Sequence, residues 1–173
     1  MTSDGLTVRP ERPDDQAGIA SVIHAAFGSE GEALLVERLR QAGALTVSLV
    51  AIDSGQVIGH VALSPVTIDG RDGHGRWLGL APVAVRPDRQ RAGVGRRLVE
   101  QAVALAAATG ASEIFVLGHA DYYAALGFDE ATACGWRCIY DVPADVFRVR
   151  CLQPAASRPA AGTVRYHSAF DAL

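Results

Sequence analysis

The sequence has little of several features that would place it in a specialised class. No apolar run reaches the roughly 18 residues that a membrane-spanning helix needs. Residues 1–5 are polar and lack the basic and apolar regions of a secretory signal. Three cysteines, Cys134, Cys138 and Cys151, are an odd number for a disulfide framework. We therefore expect a cytoplasmic protein with reduced thiols and no membrane partner.

Positive charge is not in excess either. The 173 residues carry 16 Lys+Arg against 19 Asp+Glu, which gives a formal net charge of −3. Because nucleic-acid binding depends on an excess of cations that contact phosphates, this balance argues against a dedicated nucleic-acid-binding protein. The hydrophobic fraction of 49% is well above that of a disordered chain and is enough for a buried core.

The three cysteines are also a weak basis for a metal site. Structural zinc usually takes four ligands at tight spacing, and these thiols are three and scattered. We expect them to be small buried side chains, and we predict no bound metal.

Hydrophobic periodicity predicts alternating strands and helices. Strands are expected at residues 6–9, 45–52, 57–68, 77–85 and 113–117, and helices at residues 14–27, 30–41, 94–108 and 120–126. An irregularity is expected at residues 64–65 in the third of these strands. Residues 128–152 are typical of β-hairpins, with a pairing that cannot be read. A glycine-containing turn at residues 53–56 indicates antiparallel neighbours, whereas the strand–helix–strand unit at residues 77–117 indicates one parallel crossover. The expected fold is α/β (α+β), a mixed, mostly antiparallel central sheet with helices on both faces.

The length predicts one domain, at about 150 residues per domain. Residues 154–159 have the composition of a linker. We therefore expect a single domain over residues 1–153, and a C-terminal extension, residues 154–173, that packs on this domain or trails it.

The most informative segment joins the strand at residues 77–85 to the helix at residues 94–108. Gly93 and Gly95 stand where that helix begins. A helix N-terminus has unpaired N–H groups and a partial positive charge, and glycine lets an anion approach the backbone closely. Four arginines add positive charge nearby: Arg89, Arg91, Arg96 and Arg97. The pattern predicts an anion site, with a glycine-capped surface loop as the alternative.

Two common nucleotide-binding loops do not fit this segment. A Walker-type loop needs Lys followed by Ser or Thr, and no such pair follows the glycines. A dinucleotide fingerprint needs a third glycine three residues after Gly95, where this sequence has Leu98.

The pattern Gln-x-x-Gly-x-Gly, formed by Gln90, Gly93 and Gly95 after an apolar strand, resembles the acetyl-CoA motif of the GNAT superfamily of N-acetyltransferases. A second segment, Tyr-Ala-Ala-Leu-Gly-Phe at residues 123–128, is similar to the family's Tyr-x-x-x-Gly-Phe motif. The two motifs occur in the right order and on the right elements. The resemblance implies the acyl-CoA N-acyltransferase (GNAT) fold, with acetyl-CoA as co-substrate.

The resemblance also implies site residues. The pyrophosphate of CoA is expected on backbone amides of the glycine turn, and the pantetheine arm on the backbone of the fourth strand, where it splays from the fifth. Carried over to this sequence, the cofactor-binding residues are Val83, Ala84, Val85, Gln90, Arg91, Ala92, Gly93, Val94, Gly95 and Arg96. Tyr123, four residues before Gly127, matches the general acid that protonates the leaving thiolate.

The implied reaction is direct attack of a primary amine, on a small molecule or a peptide, on the thioester in a ternary complex. The alternative is a non-catalytic CoA-binding regulatory module, because residues 78–81 and 115–117 lack the carboxylate that many relatives carry on these strands. Acetylation of an aminoacyl-tRNA is disfavoured, since tRNA binding calls for a basic face. The oligomeric state cannot be read, although homodimers are common in the superfamily.

The general base stays open. The candidates are Glu30, Glu32, His60, His119 and Asp121. A single histidine in a strand is more often structural than catalytic, and carboxylates at a helix start commonly stabilise the helix. A water chain, or an amine that arrives neutral, are further alternatives. Trp136 and Tyr140 are candidates for the acceptor pocket, although ordinary packing is the favoured interpretation.

Overall fold

The computed structural model describes residues 5–69, 71, 76–154 and 161–173. Its helices are α1 (Gln16–Phe27), α2 (Gly31–Gln41), α3 (Val94–Ala108) and α4 (Ala120–Ala124). Its strands are β1 (Thr7–Pro10), β2 (Val47–Asp53), β3 (Gln56–Pro65), β4 (Thr67–Ile68), β5 (Trp77–Leu80), β6 (Ala84–Val85), β7 (Glu113–Leu117), β8 (Asp129–Glu130), β9 (Arg137–Cys138), β10 (Phe147–Cys151) and β11 (Thr163–Arg165). In this part of the chain, no helix is both long and apolar enough to span a membrane.

The main sheet has the strand order β1-β2-β3-β5-β7-β10-β8, with β6 also paired to β3. Within this sheet, β5 and β7 are parallel, and the other described pairs are antiparallel. The parallel pair is the crossover that the strand–helix–strand unit predicted, with α3 as its helix. The predicted mixed, mostly antiparallel sheet is confirmed.

Alternation along β7 shows how helices cover both faces of the sheet. Ile114 and Val116 pack with buried residues of α3, such as Leu98. Phe115 points to the other face and packs with Trp136 and the second sheet. On that same face, α1 and α2 cover β2 and β3 through separate apolar clusters. The helices on both faces were predicted correctly.

Two predicted strands are each divided. The strand expected at residues 57–68 ends at Pro65, and Thr67–Ile68 form β4 in another sheet. The strand expected at residues 77–85 is interrupted at residues 81–83. The first division falls at the irregularity expected at residues 64–65. In the second place hydrophobic continuity predicts an unbroken strand, because it does not report which neighbour each residue pairs with.

A second, three-stranded sheet has the order β4-β11-β9. β11 is antiparallel to β4 and parallel to β9. Residues 128–152 are therefore not a simple hairpin, since β9 leaves the main sheet between β8 and β10. The predicted linker at residues 154–159 lies mostly outside the described residues. Beyond it, Val164 is fully buried, and Ser168–Ala172 form a 3₁₀ helix that contacts α2.

Candidate functional site

The fourth strand of the main sheet consists of two segments, β5 and β6, of which β5 pairs with β7 and β6 does not. β5 runs parallel to β7 only as far as the pair Gly79–Phe115. β6 pairs with β3, and within the described residues no strand lies along the other edge of β6. The sheet therefore opens between residues 80–85 and β7. This cleft leaves a strand edge available for an extended ligand.

A β-bulge accompanies the opening. Leu80 lies opposite Leu63, whereas Ala84 lies opposite His60. The fourth strand thus has one residue more than β3 in this interval. Pro82, which has no N–H to donate to a ladder, lies within it. A bulge bends a strand locally, and this bend carries β6 away from β7.

The turn between β6 and α3 forms one end of the cleft. Arg91 has a φ of 60° and Gly93 a φ of 82°, and Gly93 is the N-cap of α3. A Cβ atom on Gly93 would meet no atom within 4 Å, so this surface is open. The first N–H groups of α3 have no acceptor in their own helix. The turn can therefore hold an anion without any side chain.

Gln90 stabilises this turn from within. Its Nε2 donates to Val85 O at 3.0 Å, which ties the turn to the end of β6. The Gln90 side chain is therefore engaged in a hydrogen bond to the backbone of the turn.

Two of the four arginines near the turn form ion pairs, and the other two do not. Arg89 forms an ion pair with Asp53 at 2.6 Å, and Arg96 forms one with Glu100 at 3.3 Å. Arg91 and Arg97 are exposed, and neither bonds to another described side chain. Only Arg91 and Arg97 therefore carry charge that is not already paired there.

Tyr123 lies on α4, which follows β7 on the other side of the cleft. Its side chain is buried, and its ring packs edge-on against Phe128, with centroids 5.5 Å apart. Burial and the neighbouring Tyr122 raise the pKa of Tyr123 well above its ordinary value. The hydroxyl therefore keeps its proton at neutral pH, as a general acid must before it acts.

Tyr122 lies beside the glycine turn, a position that sequence reasoning missed. Helical spacing indicates only that it points away from Tyr123. In the structure its Oη lies 2.6 Å from the position that a Cβ on Gly95 would take. Tyr122 therefore covers the first turn of α3, and Gly95 provides the space for its hydroxyl. The glycine at position 95 was the sequence feature that could have indicated this close approach.

The candidate bases are dispersed. His119 and Asp121 are exposed on α4, while Glu30 and Glu32 lie at the start of α2. His60 is fully buried on β3, beside Ala84. The structure brings no two of these five candidates into hydrogen-bond contact with each other among the bonds it describes.

His60 belongs to a polar network that reaches the surface. Its Nε2 lies 2.9 Å from Ser48 Oγ and 3.6 Å from Glu11 Oε2. Ser48 donates to Glu11, and Arg40 donates to the same carboxylate at 2.9 Å. Because the Ser48 hydrogen is given to Glu11, His60 Nε2 must be the donor to Ser48, and Nδ1 is the unprotonated nitrogen. No described group bonds to Nδ1.

The pKa values of this network follow from the bonds. Burial would raise the pKa of Glu11, but bonds from His60, Arg40 and Ser48 outweigh it and lower that pKa well below its ordinary value. Burial lowers the pKa of His60 despite the nearby carboxylate. Glu11 is thus charged and His60 neutral at neutral pH.

The aromatic and cysteine candidates have ordinary surroundings. Trp136 packs on Phe115 with ring centroids 5.1 Å apart, and Tyr140 donates to Asp171 at 2.7 Å. The expectation of buried cysteines is wrong for Cys134, which is exposed, while Cys138 and Cys151 are half-buried. The described residues include no group of three or more His, Cys, Asp or Glu placed to hold a metal ion.

Comparisons with known proteins match this geometry. Residues 18–129 match the Acetyltransferase (GNAT) family. The N-acetyltransferase YhbS of Escherichia coli K12 is 36% identical over 167 residues, which are 96% of this chain and 99% of that protein. The N-acetyltransferase YjhQ of the same organism is 31% identical over 162 residues, with 92% and 90% covered.

Two solved structures are similar over nearly the whole chain. YhbS from E. coli in complex with CoA has a TM-score of 0.91 at 36% identity, covering 96% of this chain and 92% of that chain. A GNAT family acetyltransferase from Brucella melitensis in complex with acetyl-CoA has a TM-score of 0.81 at 37% identity, covering 96% and 98%. With the family match over more than half of its length, this chain belongs to the GNAT family of acetyltransferases.

Proposed function

We propose that this protein transfers the acetyl group of acetyl-CoA to a primary amine of a small molecule or a peptide, in the cytoplasm. The observation that carries the proposal is the cleft itself. An unpaired strand edge at residues 80–85 leads to the open N-terminus of α3 at Gly93, and α4, which carries Tyr123, follows β7 on the other side of the opening. The family match and the CoA complexes of two relatives support the same activity.

The described residues fit two parts of CoA, the pyrophosphate and the pantetheine arm. The turn from Arg91 to Arg96 offers helix N–H groups and an open glycine surface to a pyrophosphate. Arg91 and Arg97 supply unpaired positive charge beside it. Val83, Ala84 and Val85 offer backbone groups to the amides of an extended pantetheine arm, in the manner of an added strand.

The chemistry proposed for this cleft is direct acyl transfer. The lone pair of a neutral amine forms the new C–N bond, and the C–S bond of the thioester breaks. The negative charge that develops on the carbonyl oxygen is stabilised by a backbone N–H from residues 80–85. Tyr123 gives its proton to the leaving thiolate, while the proton of the amine passes to water or to a base.

Charge favours an acceptor that is not a polyanion. The chain has a net charge of −3, and Glu30 and Asp121 are exposed. These carboxylates attract a cationic amine, which must lose its proton before it attacks. A nucleic-acid acceptor does not fit this charge.

The test is release of free CoA thiol from acetyl-CoA in the presence of a panel of small primary amines and short peptides. We expect turnover with at least one amine, at a rate that rises with pH as the amine or a base loses its proton. Stabilisation of the protein by CoA without turnover of any amine would favour the regulatory module instead.

A further inference from the structure

Tyr166 lies just after β11, on the face of the main sheet opposite α3. Its Cε1 is 2.7 Å from the position that a Cβ on Gly79 would take, so the ring fills the space above Gly79. The pair Gly79–Phe115 is the last one between β5 and β7 before the cleft opens. A residue of the second sheet is therefore placed at the closed end of the cleft.

The hydroxyl of Tyr166 is buried and has no hydrogen-bond partner among the described residues. The hydroxyl of Ser64, the residue that pairs with Gly79 on β3, is also buried without a described partner. Cross-strand pairs place their side chains on one face, so Ser64 and the Tyr166 ring lie on the same face of the sheet at Gly79. Buried hydroxyls without partners are costly and rare in folded proteins, and these two call for an explanation.

Tyr123 and Tyr166 approach the cleft from opposite sides of the sheet. Tyr123 packs in the apolar cluster on the α3 face, and Tyr166 in the cluster on the other face. Burial raises the pKa of Tyr166 well above its ordinary value, with smaller contributions from Cys138, Tyr140 and Tyr123. Both tyrosines are therefore neutral phenols at neutral pH.

We propose that Tyr166 and Ser64 are acceptor-binding residues, whose hydroxyls contact the amine on the face of the sheet opposite α3. This inference rests on the proposed function. A neutral hydroxyl accepts a hydrogen bond from an amine N–H and leaves the nitrogen lone pair free for attack. Tyr166 is not the base, because a phenol that holds its proton cannot take another.

The surroundings also indicate the kind of acceptor. The Tyr166 ring lies 5.0 Å from that of Phe170 and 6.1 Å from that of Tyr140, measured between centroids. The amine group is therefore expected at the end of an apolar arm, such as a methylene chain or an aromatic group.

The variant Tyr166→Phe tests the inference, since it removes one oxygen and keeps the ring. We expect kcat/KM for the acceptor to fall about tenfold, the loss of one buried hydrogen bond. The melting temperature should stay equal or rise, because the variant removes an unpaired buried hydroxyl. Stabilisation by CoA should not change. Ser64→Ala should shift the acceptor kcat/KM in the same direction.

Tyr140→Phe is the matched control. It breaks the bond of 2.7 Å to Asp171, so it should lower the melting temperature, in contrast to Tyr166→Phe. Equal acceptor kcat/KM in the wild-type protein and Tyr166→Phe would overturn this inference alone. A wild-type protein that CoA stabilises but that acetylates no amine would overturn the proposed function as well.

Discussion

Tyr122 and Tyr123 are neighbours in the chain, yet their hydroxyls lie at different parts of the cleft. Tyr123 is buried against Phe128, and Tyr122 is half-exposed over the first turn of α3. The difference follows from the roughly 100° between successive side chains on a helix. The two residues therefore make a matched pair for separating acid catalysis from binding of the co-substrate.

We expect Tyr123→Phe to lower kcat by about 10²-fold, the low end for loss of a general acid, with little change in KM for acetyl-CoA. Tyr122→Phe should have the opposite pattern, a raised KM for acetyl-CoA and a nearly unchanged kcat. Steady-state kinetics on any working acceptor measures both. Wild-type turnover by Tyr123→Phe would show that another group protonates the thiolate.

The network around Glu11 makes stability depend on pH. The pKa of Glu11 is lowered by folding, so its contribution is complete above about pH 4.3, the unfolded value, and is lost as the pH falls further. The pKa of His60 is also lowered, and the unfolded chain takes up a proton at this residue below about pH 6.5. Both groups make the folded protein less stable in acid.

Replacement of Glu11 by Gln should therefore lower the free energy of unfolding at pH 7 by about 1–3 kcal/mol, since it breaks bonds to buried groups. The acid limb of the stability curve should also become shallower. Thermal unfolding between about pH 2 and pH 8, a range that includes the unfolded pKa of His and extends well below that of Glu, measures this. Glu37→Gln, at the more exposed end of the network, is the control and should have a smaller effect.

At the scale of elements, local features were predictable and distant pairings were not. The bounds of α3 and β7 agree with the sequence, because an amphipathic period and a buried apolar run are local signals. The bulge at Pro82 and the partner of β9 depend on contacts between segments far apart in the chain. The positions of Tyr122 and Tyr166 depend on such contacts too, which is why the sequence did not indicate where either side chain lies.

Two substitutions at Gly93 test whether the N-terminus of α3 binds an anion. Gly93 has a φ of 82°, a conformation that Asp and Asn tolerate better than most residues. Gly93→Asp should abolish stabilisation by CoA, because its carboxylate would occupy the anion site. Gly93→Asn has nearly the same shape without the charge and should keep most of that stabilisation.

Melting curves with and without CoA compare the two variants of Gly93. Equal stabilisation of both by CoA would place the phosphates away from this turn. Equal loss in both would mean that the space beside Gly93, and not its electrostatics, is what CoA requires.

At the scale of the whole molecule, the second sheet is part of the same core as the first. Val164 on β11 is fully buried and packs with Trp77 and Phe115 of the main sheet. Tyr166 belongs to the same cluster. Residues 161–173 should therefore unfold together with the rest of the chain.

Val164→Ala tests this cooperativity. Loss of two buried methyl groups should cost about 1–2 kcal/mol and lower a single melting transition by about 2–8 °C. Calorimetry measures the transition. A separate, earlier transition in the variant, with an unchanged main one, would show that the second sheet is an independent unit.

The pairing of β4 with β11 also affects the order in which the protein can form. Thr163 N donates to Asp69, a residue 94 positions earlier, and β11 completes the sheet that carries Tyr166 to the cleft. At a synthesis rate of about 5–20 residues per second, β11 is made roughly 5–20 s after β4. The glycine turn and α3 are complete well before then. A nascent chain thus acquires its anion-binding turn first and the opposite face of its cleft last.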